Sequence, residues 1–298
     1  LAAAPGGKST HLLSYLENTG LLVSNEISSK RSKILVENIE RFGARNVVVT
    51  NESADRLAAV FPAYFDMIVL DAPCSGEGMF RKDPAAMDYW DKNYPARCAQ
   101  LQKEILESAM TMLAPDGELI YSTCTWSPEE NEEVVAWLLE NFELELLPIE
   151  KINGMVEGLG YPETARIYPH HFKGEGQFVA KFRYLGQQPS KKIKTGKSNL
   201  NREQSQLWQD FAKGHLTVTL KGLLQVFGDQ LYLLPEGLPD LSKLRIARNG
   251  LHLGTFKKKR FEPSFALGLS LTSSEVKQRL DISEEDFAAY AAGNTIAV

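Results

Sequence analysis

The chain has 298 residues, 33 basic and 38 acidic side chains, 43% hydrophobic and 24% charged residues, a globular balance with room for about two domains. The longest apolar runs, such as Met67 to Leu70, fall far short of a membrane span, and no charged leader with an apolar core is read at the start, which excludes membrane and secretory classes. Cys74, Cys98 and Cys124 are odd in number and form no C-x-x-C pair, so neither a disulfide framework nor a cysteine zinc site is supported, and a reduced, cytoplasmic protein is expected.

In chain order, the first 140 residues alternate helical and extended patterns. Helices are expected over Lys8 to Asn18, closed by Gly20; over Ser28 to Phe42, closed by Gly43; and over Pro95 to Leu113, stopped by Pro115-Asp116-Gly117. Short apolar runs of strand length contain Val23 to Asn25, Asn46 to Thr50, Met67 to Asp71 and Leu119 to Thr123. Ser127 reads as an N-cap and Pro128 as a first-turn proline, opening a helix to about Glu140 with Glu129 and Glu130 at its positive end. Gln177 to Tyr184 alternates like a closing strand. This alternation predicts an α/β protein: a doubly wound parallel sheet with helices on both faces.

From Gly186 to Arg202 the sequence GQQPSKKIKTGKSNLNR is polar, basic and aperiodic, and reads as a linker. Residues 1–184 carry 27 acidic and 17 basic side chains, net −10, whereas residues 185–298 carry 11 and 16, net +5. A basic C-terminal part beside an acidic body fits a polyanionic partner, and equally a solvated surface.

In doubly wound sheets ligands sit where strands end and helices begin. The first such place, Ala2-Ala3-Ala4-Pro5-Gly6-Gly7-Lys8-Ser9, is a small-residue loop entering a helix. It nearly spells a P-loop, but position 2 is alanine instead of glycine and Pro5 removes one N–H from a phosphate cradle. In that reading Asp71 would hold magnesium. Glu26, 20 residues after Gly6 at the next strand end, stands at the spacing of a ribose-binding acid and favours a nucleoside-bearing cofactor. Cys74 and Cys124 each follow a strand and emerge on the same edge, whereas Cys98 recurs with Leu101, Ile105 and Ala109 at helical spacing and is assigned to packing.

Three stretches, Ala4-Pro-Gly-Gly-Lys8, Asp71-Ala-Pro-Cys-Ser-Gly-Glu-Gly78 and Ser122-Thr-Cys-Thr-Trp-Ser-Pro-Glu-Glu-Asn131, resemble in order and spacing the Nop/Sun-type RNA cytosine-5 methyltransferases, over about the first 184 residues. Gly250 to Leu267, with Phe261-Glu-Pro-Ser-Phe265, is similar to the PUA-like RNA-binding module of the bacterial group that modifies small-subunit ribosomal RNA. The resemblance implies a Rossmann-like class I methyltransferase domain over residues 1–185, a basic linker over 186–202 and a smaller β-rich PUA-like domain over 203–298. It implies S-adenosylmethionine as cofactor, held by Ala2 to Lys8, Glu26 and Asp71, and an RNA substrate, ribosomal first and transfer RNA second, with no metal and a monomeric protein. Cys124 is implied as the nucleophile on carbon 6 of cytosine, Cys74 as the aid to product release, and Asp71 as a partner of the ring edge.

One position departs from the family pattern. Where an Asp usually stands near the adenine, Thr50-Asn-Glu-Ser-Ala54 has Ser53, and either Ser53 or Asp55 takes its place. Arg81 and Lys82, and Lys257-Lys258-Lys259-Arg260 beside Phe261, are candidate phosphate contacts, with exposed solvated charges as the competing reading. Phe80, Tyr89, Trp90 and Trp126 lie near the motifs without an assigned stacking role, and the adjacent His170 and His171 read as structural. Because the strand that leads into the first loop in the family is nearly missing before Leu1, the chain reads as a piece of a longer protein, and the second domain as incomplete.

Overall fold

A computed structural model describes residues 1–171, 173–188 and 195–296. Its N-terminal part alternates α1 (Gly7–Leu16), β1 (Leu22–Asn25), α2 (Ser29–Phe42), β2 (Val47–Thr50), α3 (Ala54–Val60), β3 (Phe65–Asp71), α4 (Tyr94–Met112), β4 (Leu113–Thr123) and α5 (Glu132–Asn141), then runs β5 (Leu144–Leu147), β6 (Val156–Gly158), β7 (Tyr161–Ile167) and β8 (Gln177–Tyr184). β2 is buried along its whole length, and its side chains alternate between two cores. Val47 and Val49 join Leu13, Leu35 and Ile39 of α1 and α2, while Val48 joins Leu57, Leu106 and Met110 of α3 and α4. Helices therefore cover both faces, as the alternation predicts.

The expected single sheet is found in two pieces. β1 and β2 are parallel, and so are β3 and β4, but no ladder joins β1 to β3. In the seam lie Leu1 to Ala3: the Leu1 amine donates to Val69 O at 2.7 Å and Ala3 N–H to Asn25 O at 2.8 Å. Beyond β4 the second piece turns antiparallel, with β8 beside β4 and both β7 and β5 on the far edge of β8.

Of the basic segment 186–202, residues 189–194 lie outside the described residues. After it come α6 (Arg202–His215), β9 (Leu223–Phe227), β10 (Gln230–Leu234), β11 (Ile246–Arg248), β12 (Leu251–Lys257), β13 (Arg260–Pro263), α7 (Phe265–Ser270) and α8 (Glu284–Ala291). β9, β10, β12 and β13 form an antiparallel sheet whose core holds Trp208, Leu231, Leu251, Leu253 and Phe261. β11 leaves that sheet and pairs antiparallel with β2, and Leu234, Leu238, Leu241 and Leu244 enter the core of α3 and α4. The two parts of the chain thus share one sheet edge and one core. No helix among the described residues is long and apolar enough to cross a membrane.

Several boundaries differ from expectation. α1 stops at Leu16 because Glu17 and Asn18, with φ of 47° and 59°, already occupy the left-handed region. Pro115-Asp116-Gly117 does not stop α4; the helix ends at Met112 and these residues lie inside β4, at an irregularity where β3 pairing jumps from Leu113 to Glu118. Ser127 is not an N-cap: its hydroxyl bonds the Glu129 carboxylate at 2.6 Å, and α5 begins after Asn131. On α4, Leu101 is exposed, and the buried stripe is Cys98, Gln102, Leu106 and Ala109.

Candidate functional site

The C-terminal ends of β1, β2, β3 and β4 meet at the seam, and their following loops make the site. In the first loop Gly6 has φ of 119°, and a Cβ there would stand 3.1 Å from Leu35 Cδ1, so this turn requires glycine. The loop is tied down from outside: Ala4 N–H donates to Glu26 Oε2 at 3.3 Å, Arg31 to Ala4 O at 2.6 Å and Asn38 to Pro5 O at 2.8 Å. The first-turn amides of α1 have no intrahelical acceptors.

Glu26 is 1% exposed. Its carboxylate accepts one amide on each oxygen, Ala4 at 3.3 Å and Ser28 at 2.9 Å, and Arg31 lies 3.6 Å away. A second lone pair on each oxygen is left for a diol. After β2, Ser53 occupies the N-cap of α3 without a side-chain bond to the helix. The neighbouring Ser53 side chain helps to hold the Asp55 carboxyl below the ordinary range. Glu52, to which the sequence reading gives no role, turns away into the C-terminal part: it is fully buried, accepts Arg245 N–H at 2.7 Å, and is flanked by the Arg56 and Arg245 guanidiniums at 3.2 and 3.3 Å. Asn51 completes the tie by donating to Glu26 O at 2.7 Å while its own N–H reaches Arg245 O at 2.9 Å.

At the end of β3, Asp71 accepts Lys8 Nζ at 2.8 Å and Ser122 Oγ at 2.9 Å, which joins the first loop to both motif strands. The Cys74 and Cys124 sulfurs are 3.2 Å apart, beyond the roughly 2.05 Å of a disulfide and within reach of an S–H···S bond. Cys124 N–H also points at Cys74 Sγ, 3.3 Å away. The Cys74 thiol is pushed far up by its bond to Cys124 and by burial. The Cys124 thiol is pulled down, first by the hydrogen bond from Cys74, with its own backbone amide and Lys8 helping while burial and Asp71 oppose. The two shifts run in opposite directions, so Cys124 is the thiol of the pair that ionises first.

The helix-end role expected for Glu130 is not what the structure holds. Its carboxylate is fully buried beneath the Cys74 loop, bonded to Ser75 N–H and Gln102, and burial pushes it up to about 7. The one hint in the sequence is its position inside the motif that ends at Asn131. Trp126 packs on Gly176, where a Cβ would come within 2.3 Å of its indole nitrogen, and Gly78 is wedged between Cys124 O and Gly176. Cys98 is buried on α4, as its spacing predicts.

None of the basic candidates bonds either cysteine loop directly among the described residues. Arg81 pairs with Glu175 at 2.8 Å, and Lys82 is exposed. Lys257, Lys258, Lys259 and Arg260 crown the exposed β12–β13 turn, where Arg260 pairs with Glu262. An open cleft of about 640 Å³ in the C-terminal part, lined by Asn199, Gln225, Leu238 and Asn249 among others, shares no residue with the cysteine loops.

Among solved structures, NSun6 from Pyrococcus horikoshii with SFG is 33% identical, with a TM-score of 0.55 over 62% of this chain and 47% of that one. A methyltransferase homolog protein from Pyrococcus horikoshii is 33% identical, with a TM-score of 0.52 over 61% and 59% of the two chains. These neighbours share the Rossmann-like methyltransferase fold of the N-terminal part. Among curated proteins, ribosomal RNA small subunit methyltransferase F of Vibrio atlanticus is 34% identical over 307 residues, covering 99% of this chain and 65% of that protein. The enzyme of that name from Shewanella loihica is 32% identical over 311 residues, covering 100% and 63%. The chain thus spans just under two thirds of the length of these relatives. Residues 210–271 match the RsmF rRNA methyltransferase first C-terminal domain. Residues 1–183 match the 16S rRNA methyltransferase RsmB/F family, and the chain belongs to that family.

Proposed function

We propose that the protein is an S-adenosylmethionine-dependent methyltransferase of ribosomal RNA that modifies carbon 5 of a cytosine through a covalent adduct on Cys124. The observation that carries this reading is the pair of sulfurs 3.2 Å apart at neighbouring strand ends, with the thiol of Cys124 lowered and that of Cys74 raised. Carbon 5 of cytosine is a weak nucleophile. The Cys124 thiolate adds to carbon 6, and protonation at nitrogen 3, with Asp71 at the ring edge, turns the ring into an enamine. Bound S-adenosylmethionine supplies the methyl group. A base then removes the carbon 5 proton, the carbon 6–sulfur bond breaks, nitrogen 3 gives back its proton and the Cys124 thiolate is restored, with Cys74 assisting this release.

The first loop suits the cofactor: Ala2, Ala3, Ala4, Pro5, Gly6, Gly7 and Lys8 leave space for it, the Gly6, Gly7 and Lys8 amides stand at the start of α1, and Glu26 retains acceptor capacity for ribose hydroxyls. Ser53, beside Asp55, is the adenine-side candidate. Residues 1–185 form the catalytic part, 186–202 the linker and 203–298 a PUA-like RNA-binding part, with Arg81, Lys82 and the Lys257 to Arg260 turn meeting phosphate. A target base inside a duplex is extruded before it meets Cys124.

Thermal melting and methyl transfer test this reading on the full-length parent. Adenosylmethionine is expected to raise the melting midpoint, and ATP with magnesium to leave it unchanged; the reverse would make the protein a nucleotidase. Cys124→Ser is expected to abolish methyl transfer to ribosomal RNA, and Cys74→Ser to trap the protein on RNA. Methylation that survives Cys124→Ser rules out the adduct, and RNA binding without any transfer marks a silent binding protein.

A further inference from the structure

The Cys74 loop is held by a device that the proposed chemistry does not name. Gln102 Nε2 donates to Pro73 O at 3.0 Å and to Glu130 Oε2 at 2.6 Å. Glu130 in turn accepts Ser75 N–H on both oxygens, at 3.2 and 3.0 Å. The residue before Cys74 and the residue after it are thus pinned by two side chains bonded to each other. The Tyr121 hydroxyl closes the group from below, 2.8 Å from Gln102 Oε1 and 2.6 Å from Glu130 O. Gln102, Tyr121 and Glu130 are all fully buried.

Packing alone does not call for such a group. A buried carboxylate with only neutral partners is costly, and among the described residues no lysine, arginine or histidine pairs with Glu130. An apolar residue would fill the space at lower cost, but would not hold the Ser75 amide. The same loop is coupled sideways to the nucleophile's loop, since Ser75 Oγ donates to Thr125 Oγ1 at 2.9 Å and Thr125 Oγ1 bonds Glu77 Oε2 at 3.0 Å. Fixing Pro73 and Ser75 therefore fixes Cys74 Sγ against Cys124 Sγ.

We propose that Glu130 and Gln102 are positioning residues that fix Cys74 for the release step. This rests on the cysteine roles given above. Attack on carbon 6 is made by Cys124, which Cys74 assists only by favouring its ionisation, whereas release needs Cys74 at its place, so once Cys124 is ionised a loosened bracket affects the second half of the cycle. In the full-length protein, at a pH above the Cys124 alkylation midpoint of both wild type and variant, Glu130→Ala is expected to form the RNA adduct within about threefold of the wild-type rate and to transfer one methyl group, while steady-state turnover falls about tenfold or more. Adduct accumulates on a denaturing gel. Gln102→Ala, which cuts the Pro73 tie and keeps the carboxylate, is expected to do the same and serves if Glu130→Ala fails to fold.

A readout without RNA keeps this test separate from the proposed reaction. Cysteine alkylation against pH, followed for the Cys124 peptide by mass spectrometry, is expected to shift upward by about one pH unit in either variant as the Cys74 thiol drifts from its partner. Wild-type protein that transfers no methyl group would remove the proposed function while leaving the bracket to be judged by alkylation. Variants that keep both the wild-type alkylation profile and full turnover, or that lose adduct formation and release equally, would overturn the positioning role.

Discussion

Two thiols in van der Waals contact hold one proton between them more tightly than either holds its own, because the second ionisation would set two negative charges side by side in a half-dehydrated loop. The hydrogen bond between Cys74 and Cys124 is the largest cause of the shift on both; beyond it, Cys124 has Lys8 nearby to favour its anion against Asp71, whereas Cys74 has only the opposing Glu130 carboxyl among side-chain charges. Replacing Cys74 by alanine removes the main cause of the lowered Cys124 thiol, so its alkylation midpoint is expected to rise toward that of a free cysteine, near pH 8.5. Stopped-flow or mass-spectrometric labelling from pH 6 to 10 reads this directly. Glu130 gives a second pH signature. Burial raises its carboxyl from 4.5 to about 7. The folded state therefore favours the neutral acid, and its stability is full below the unfolded value and declines as pH rises from about 4.5 to 7, by on the order of 2 to 3 kcal/mol. Glu130→Gln is expected to flatten that decline, measured as the difference between urea midpoints at pH 5 and pH 8.

Elements that are specified locally were legible, and those specified by distant contacts were not. The ends of α2 are a case of the first: the Ser28 hydroxyl accepts Arg31 N–H and Gly43 takes the left-handed C-cap, both within the helix's own sequence. The start of α5 is a case of the second. Ser127-Pro128 has the residue types of a helix opening, but Thr125 and Glu130 are drawn into bonds with Ser75 of the Cys74 loop, Asn131 into one with Thr123 of β4, and the Ser127 hydroxyl into one with Glu129, and the helix begins four residues later. Likewise Pro115-Asp116-Gly117 has the composition of a turn and lies inside β4, because pairing with β3 resumes at Glu118. In the site, the two cysteines, Asp71, Glu26 and the Gly6 turn were readable from strand ends and spacing. The Gln102–Glu130 bracket was not, since it joins side chains 28 residues apart. Gly78 carries a strict steric demand in the Cys74 loop: its N–H reaches Cys124 O at 2.9 Å, and a Cβ would lie 2.8 Å from both Cys124 O and Gly176 Cα. Gly78→Ala is expected to displace the nucleophile's loop and cut methyl transfer by about a hundredfold with a melting midpoint near wild type, seen by comparing single-turnover rates with calorimetry.

On the scale of the whole molecule, the C-terminal part is built into the catalytic part. Arg248 of β11 is 4% exposed and donates to Val47 O at 3.1 Å and Ala44 O at 3.0 Å, and its burial brings the guanidinium down to about 10. Arg45 reaches across in the other direction, to Ser270 O at 2.8 Å and to the Glu275 carboxylate. With Leu234, Leu238, Leu241 and Leu244 in the same core as Leu106, calorimetry is expected to record one cooperative unfolding transition. Arg248→Ala strands the Val47 and Ala44 carbonyls without water and is expected to cost about 3 kcal/mol, read as a lowered urea midpoint at unchanged slope. The strand that carries Arg248 also has a protective effect. β2 would otherwise be a rim with unsatisfied backbone groups along its outer side, the kind of surface on which identical molecules stack into aggregates, and β11 seals it from within the same polypeptide.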